Sequence, residues 1–118
     1  MNITLYGAAS DRIDRAYIEG VEALGRAMAK RGHTMVFGAG STGLMGAAAR
    51  GMAAEGGQII GVTPHFMHEL EPVFAQCTEI IHTETMAERK NIMEEKADAF
   101  IIVPGGIGTS RFSSDTIS

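Results

Sequence analysis

The chain has 118 residues, of which 45% are hydrophobic and 20% are charged, and its formal net charge is −4. This length favours one domain with a buried core, and the composition is close to that of ordinary soluble proteins. The acidic balance and the lack of a basic block argue against a nucleic-acid partner, because duplexes are bound by clustered Lys and Arg. A small anionic ligand is not excluded, since local backbone N–H groups can bind one.

The single cysteine, Cys77, excludes an internal disulfide framework and fits a reducing compartment. No apolar stretch reaches the roughly 18 residues that a membrane span needs. The N-terminal residues also lack the basic flank and the long apolar stretch of a signal peptide. We therefore expect a cytoplasmic protein without a membrane partner.

Short apolar stretches alternate with helical patterns along the chain. The predicted strands cover residues 3–6, 34–37, 59–62, 79–82 and 99–103. The predicted helices cover residues 13–31, 44–55 and 85–96. In the first helix the expected buried stripe comprises Ala16, Tyr17, Val21, Leu24 and Met28. Gly32 and Gly56 are expected to end the first two helices, and Thr83 or Thr85 to cap the third. The alternation predicts an α/β fold with a Rossmann-like parallel sheet, helices on both faces, and a single domain over residues 1–118.

Two glycine-rich turns follow predicted strands and precede predicted helices. The first contains Gly38, Gly40, Gly43 and Gly46, and the second contains Gly105, Gly106, Gly108 and Thr109. Ligands of parallel α/β sheets bind outside the carboxyl ends of the strands, so both turns are expected at the ligand-binding edge. Backbone N–H groups and the helix dipole favour an anion there. The alternative is that both turns serve only tight packing and helix capping.

A dinucleotide site is a weaker interpretation of the first turn. Gly38, Gly40 and Gly43 fit the letters of the G-x-G-x-x-G pattern. No acidic residue ends the next predicted strand, however, where an NAD-binding protein places the carboxylate that contacts the ribose. An NAD-dependent oxidoreductase is therefore weakly supported.

Charged residues in the second half of the chain are the other candidates. The expected buried stripe of the third helix comprises Met86, Met93 and Ala97. Arg89 and Lys90 lie three or four residues from these methionines, so at least one cation should lie on or beside the inward face. The alternative is that both extend to the rim and pair with Glu94 or Glu95. Glu71 is a loop carboxylate, and the histidines show no spacing that predicts a metal site beyond a weak pair.

Three motifs, in this order and spacing, resemble the signatures of the Lonely Guy (LOG) family. They are GSTGLMG at 40–46, MAERK at 86–90 and PGGIGT at 104–109. Members of that family are cytokinin riboside 5′-monophosphate phosphoribohydrolases, often labelled "possible lysine decarboxylase". The resemblance covers residues 2 to about 109 and implies a Rossmann-like homodimer. It implies hydrolysis of the N-glycosidic bond of AMP or N6-substituted AMP to free base and ribose 5-phosphate, without pyridoxal phosphate or another cofactor.

The resemblance also assigns roles to residues. Arg89 matches the catalytic arginine, Lys90 a neighbouring nucleotide contact, and Glu71 a substrate-binding glutamate. The matched phosphate loop comprises Gly105, Gly106, Gly108 and Thr109, and the first turn adds contacts at Gly40 and Ser41. Breaking a ribosyl C–N bond develops oxocarbenium-like charge that a carboxylate can stabilise, as in glycosidases. Binding of the distant phosphate can help to orient the reacting sugar.

The chain departs from the family pattern directly after the phosphate loop. The family continues as Pro-Gly-Gly-x-Gly-Thr-x-x-Glu with a catalytic glutamate, and Phe112 stands at that position here. We expect the activity to be impaired and the family's C-terminal strands and helices to be missing. Two explanations compete for this departure. One is a truncated or altered gene product, and the other is a genuine short nucleotide-binding relative. A non-enzymatic module that binds a nucleotide or another phosphorylated ligand is the alternative function.

Overall fold

The computed structural model describes residues 1–7, 15–69 and 72–103. In chain order the elements are β1 (Asn2–Gly7), α1 (Arg15–Lys30), β2 (Thr34–Phe37), α2 (Gly43–Ala54), β3 (Gln58–Pro64), a 3₁₀ helix (His65–Glu69), β4 (Glu79–Thr83), α3 (Met86–Lys96) and β5 (Ala99–Val103). The five strands form one parallel sheet in the order β4-β3-β2-β1-β5. The predicted α/β fold is confirmed, and the element ends agree within two residues wherever those residues are described.

The strand order places β1 inside the sheet. Ile3 of β1 is in register with Met35 of β2 on one side and with Ala99 of β5 on the other. From β1 to β4 the chain adds each strand on the same side, and it then returns to place β5 on the opposite side of β1. Such a reversal opens a crevice outside the carboxyl ends of the strands.

Helices cover both faces of the sheet. On one face α1 and α2 pack with the sheet around a core that includes Leu5, Met35, Phe37, Leu44, Met52 and Ile59. On the other face Met93 of α3 packs with Val36 and Val62. Both faces of the central strands are therefore buried, which explains why these strands are almost continuously apolar.

The contact between α1 and α2 is a backbone contact. A Cβ atom added at Gly25 of α1 would collide with the Ala48 carbonyl of α2. A Cβ atom added at Gly51 of α2 would collide with the Glu22 carbonyl of α1. Reciprocal glycines thus let the two helices approach more closely than side chains would permit, and alanine-rich α2 is buried along most of its length.

The helix ends agree with the expected capping residues. Gly32 and Gly56 have φ angles of +77° and +69°, the left-handed conformation that ends a helix and that glycine adopts without strain. Of the two threonines, Thr85 caps α3, because its hydroxyl accepts a hydrogen bond from the Glu88 N–H at 3.1 Å. Within the described residues, no helix combines the length and the apolar character that crossing a membrane requires.

The buried stripe predicted for α1 is correct only in its central and C-terminal part. Val21 and Met28 are buried and Leu24 is half-buried, but Ala16 is exposed and Tyr17 is 50% exposed. Helical periodicity identifies the side of α1 that faces inward. It does not show how far along the helix the neighbouring layer extends, so the predicted burial of Ala16 and Tyr17 in the first turn was wrong.

Candidate functional site

A cleft of about 260 Å³ lies at the carboxyl ends of β1 and β2. Its apolar lining includes Leu5, Phe37, Met45 and Met93, and its charged lining comprises Arg89 and Lys90 of α3. The turn after β2 contributes Gly38, Gly40 and Thr42. The cleft therefore combines an apolar wall, two cations and the N-terminal end of α2, which carries the positive end of the helix dipole.

Arg89 is held by two main-chain carbonyls of the sheet. Its Nε donates to the Val62 carbonyl of β3 at 2.9 Å, and its Nη2 donates to the Gly38 carbonyl after β2 at 2.7 Å. Both are charge-assisted hydrogen bonds, which are shorter and stronger than neutral ones. They hold a half-buried guanidinium at the edge of the sheet, and they confirm that at least one of the two cations faces inward.

Lys90 behaves differently from its neighbour. It is exposed and lines the cleft. Lys90 makes no ion pair with Glu94 or Glu95, all three being described residues. The alternative in which both cations pair with these glutamates at the rim is therefore wrong. Arg89 donates to carbonyls of the sheet instead, and Lys90 has no such ion pair.

The buried stripe predicted for α3 needs one correction. Met93 is buried and Ala97 is half-buried, but Met86 is 48% exposed. Met86 is the first residue of α3, where the helix faces the open cleft. An apolar residue at this position is part of the cleft surface and not of the core.

The turn after β2 is fixed by a short segment that follows residue 71. Phe74 N–H donates to the Ala39 carbonyl at 2.8 Å, and Ser41 N–H donates to the Pro72 carbonyl at 3.2 Å. Ala39 has a φ angle of +70°, which is strained for a residue with a Cβ atom. Of the two contacts expected in this turn, Gly40 lines the cleft, whereas the Ser41 amide is already paired within the chain.

Tyr6 at the carboxyl end of β1 is a further polar group in the cleft. Burial raises the pKa of its phenol, and the nearby Glu94 carboxylate raises it further, while Arg89 lowers it. Because its pKa is raised, the phenol stays protonated up to a higher pH than an ordinary tyrosine does, and it can donate a hydrogen bond.

Several predicted site residues lie outside the described residues, namely Glu71, Gly105, Gly106, Gly108, Thr109 and Phe112. Sequence reasoning in turn missed the Tyr6 phenol of the cleft and the two carbonyls that hold Arg89, those of Gly38 and Val62. The only sequence signal for them was position, because Gly38 and Tyr6 lie at the carboxyl ends of predicted strands. No side chain identifies a carbonyl as a ligand of a distant arginine.

A family model and individual relatives of this chain indicate the same family. Residues 45–111 match the family described as "Possible lysine decarboxylase". A cytokinin riboside 5′-monophosphate phosphoribohydrolase of Mycobacterium tuberculosis is 42% identical over 91% of this chain and 57% of its own length. The protein of the same name from Mycobacterium marinum is 45% identical over 74% of this chain and 46% of its own length. This chain thus spans about half the length of the curated relatives it matches.

Solved structures agree on the fold. The molybdenum cofactor binding protein of Rippkaea orientalis has a TM-score of 0.74 and 25% identity, covering 92% of this chain and 64% of that one. The molybdenum cofactor carrier protein of Chlamydomonas reinhardtii has a TM-score of 0.75 and 25% identity, covering 93% and 66%. Because the family match covers more than half of the chain and agrees with the three motifs and the parallel sheet, the chain belongs to the possible lysine decarboxylase, or LOG, family.

Proposed function

We propose that the cleft binds a nucleoside 5′-monophosphate, AMP or an N6-substituted AMP. The corresponding reaction is hydrolysis of the N-glycosidic bond, which yields free base and ribose 5-phosphate. The observation that carries the proposal is the position of Arg89, a half-buried cation bonded to Val62 and Gly38 at the carboxyl ends of the strands. The names of the relatives, which denote this reaction, support the same substrate class.

The described residues divide the binding between charge and apolar surface. Two carbonyls fix the plane of the Arg89 guanidinium, so its charge is preorganised for an anion and little side-chain entropy is lost on binding. The exposed Lys90 adds a second positive charge. Met45 and Met93 offer a polarisable apolar wall for a base. At about 260 Å³ the cleft is close to the lower end, roughly 300 Å³, of the usual range for small-molecule sites.

The remaining contacts follow from the family motifs. In this proposal Gly105, Gly106, Gly108 and Thr109 hold the 5′-phosphate through backbone N–H groups and the threonine hydroxyl. Glu71, which directly precedes Pro72 in the sequence, is proposed as a substrate contact because it matches the substrate-binding glutamate of the family. With the phosphate held at one end, the sugar is oriented for bond cleavage.

We propose further that turnover is impaired. The family motif places a glutamate where this chain has Phe112. Phenylalanine can neither activate water nor stabilise the positive charge that develops on the sugar. Binding depends mainly on Arg89, Lys90 and the phosphate loop, so it should survive the loss of this carboxylate.

Calorimetry and base release test the two parts of the proposal separately. We expect AMP to bind, adenosine to bind more weakly, and little or no free base to appear by chromatography after incubation with AMP or an N6-alkylated AMP. The Arg89→Met variant should bind AMP about 10- to 100-fold more weakly, the usual loss for a hydrogen bond to a charged group. Arg31→Met is the matched control, since exposed Arg31 lies beside the amino end of β2, opposite the cleft.

Different outcomes of these measurements would refute the assigned site, the substrate class and the impairment. Equal AMP affinity in wild type and Arg89→Met would refute the assigned site, and absence of AMP binding would refute the substrate class. Rapid base release from wild type would refute the impairment and leave the binding site in place.

A non-enzymatic carrier is the second candidate function. It is favoured by Phe112 at the catalytic position and by the similarity to two proteins whose names describe binding and carrying of the molybdenum cofactor. AMP binding without base release agrees with this candidate as well as with an impaired hydrolase, whereas measurable base release from AMP would refute the carrier. We also propose a homodimer in the cytoplasm, which sedimentation of the purified chain and fractionation of cells would test.

A further inference from the structure

We infer that Gly38 is a positioning residue for Arg89: the space left by its missing side chain determines where the guanidinium lies. Gly38 lines the cleft directly after β2, and its carbonyl accepts the 2.7 Å hydrogen bond from Arg89 Nη2. The consequence for nucleotide binding depends on the proposed function. The geometric part does not, because it concerns two residues of the chain itself.

The guanidinium occupies the volume that a side chain at position 38 would need. A Cβ atom added at Gly38 would overlap Arg89 Nη2 and would lie 2.8 Å from Cζ and 3.3 Å from Nε. The three nearest atoms all belong to Arg89, and none belongs to the backbone. Gly38 is not among the described glycines with positive φ, so its backbone does not itself require glycine.

Gly38→Ala is therefore a clean perturbation of Arg89. The end of an arginine side chain is flexible, so it moves aside where a backbone obstacle would not. Displacement removes the bonds of Nη2 to the Gly38 carbonyl and of Nε to the Val62 carbonyl, while the positive charge remains. The variant keeps the cation and loses its orientation. Displacements of about 1 Å in a binding or catalytic site can lower activity by roughly 100-fold.

A double-mutant cycle tests whether Gly38 acts through Arg89. We measure AMP binding by calorimetry for wild type, Gly38→Ala, Arg89→Met and the double variant. We expect Gly38→Ala to weaken binding by about tenfold or more in wild type, but by less than about twofold in the Arg89→Met background, because coupled residues are not additive. An equal loss in both backgrounds, or no loss in wild type, would overturn the inference.

An NMR measurement without ligand tests the geometry by itself. The Arg89 Nε–H bonded to Val62 should exchange slowly with water and give a distinct signal, which Arg89→Met identifies by its disappearance. Gly38→Ala should shift this signal and speed its exchange. An unchanged signal in Gly38→Ala overturns the inference whether or not AMP binds. A changed signal in a chain that fails to bind AMP supports the positioning of Arg89 and refutes the proposed function.

Gly20→Ala is the matched control for the substitution. Gly20 is exposed in α1, and apart from its chain neighbours and the backbone of α1 itself no atom lies within 4 Å of a Cβ atom added there. Both the AMP affinity and the Arg89 signal should be unchanged in Gly20→Ala. Circular dichroism of Gly38→Ala should match wild type, since only the end of one side chain has to move.

Discussion

The backbone contact between α1 and α2 gives a prediction in which one substitution has opposite effects at two positions. Gly20 and Gly25 both lie inside α1, so replacing either by alanine gains about 0.5–1 kcal/mol of helix stability. At Gly20 nothing beyond the chain neighbours and the backbone of α1 lies within 4 Å of the added Cβ atom, and this gain should appear in full.

At Gly25 the added Cβ atom meets a backbone obstacle. It would overlap the carbonyl oxygen of Ala48 and would lie 3.1 Å from the Ala48 carbonyl carbon and from Met52 N. These atoms belong to α2 and cannot rotate away, so the two helices must separate. Overpacking of this kind costs about 1–3 kcal/mol. We expect Gly25→Ala to be about 1–2 kcal/mol less stable than wild type, and about 1.5–3 kcal/mol less stable than Gly20→Ala, which gains about 0.5–1 kcal/mol.

Urea unfolding followed by circular dichroism measures this difference directly. The midpoints should move in opposite directions while the slope stays constant, since neither substitution changes the surface exposed on unfolding appreciably. If Gly25→Ala stabilised the chain as much as Gly20→Ala, the close approach of α1 and α2 would be refuted. If Gly20→Ala were less stable than wild type, the conclusion that a side chain at position 20 meets no neighbouring element would be refuted.

Two further predictions concern β1. The Thr4 hydroxyl is buried and donates at 2.8 Å to the Met93 carbonyl in the last turn of α3, which the Ala97 N–H does not satisfy because it donates to Glu94 instead. Thr4→Val keeps the shape and should cost about 1–2 kcal/mol in urea unfolding, whereas an unchanged stability would refute this role. The raised pKa of Tyr6 means that the folded chain keeps its phenolic proton when the unfolded chain has begun to lose it, so stability should fall as pH rises through the raised pKa. In Glu94→Gln this pKa, followed by ultraviolet absorbance, should move down towards the ordinary value; no movement would contradict the assigned cause.

Most of the fold could be predicted from local sequence patterns. Each strand is a short apolar stretch, each helix has its period and its cap, and their alternation leads to a parallel sheet because parallel strands need crossover connections. The prediction failed for Ala16, Tyr17 and Met86, which were placed on the buried stripes of their helices but are exposed. All three lie in the first turns of their helices, where burial depends on how far the neighbouring layer extends.

The candidate site could be predicted in part. The MAERK motif identified Arg89, and the glycines after the second strand identified the turn that lines the cleft. The bonds of Arg89 could not be predicted, because its partners Val62 and Gly38 are 27 and 51 residues away and contribute only carbonyl oxygens. Every residue has such an oxygen, so the sequence gives no sign of which one is used.

For this chain the sequence alone determined the α/β class, the order of its elements and the family motifs, since these depend on spacing within short segments. Only the tertiary structure decided the strand order, the reciprocal fit of Gly25 and Gly51 between two helices, and the position of Arg89 against the sheet. These features arise from distances between segments that are remote in the chain. Local periodicity contains no information about such distances, and packing and main-chain hydrogen bonds set them.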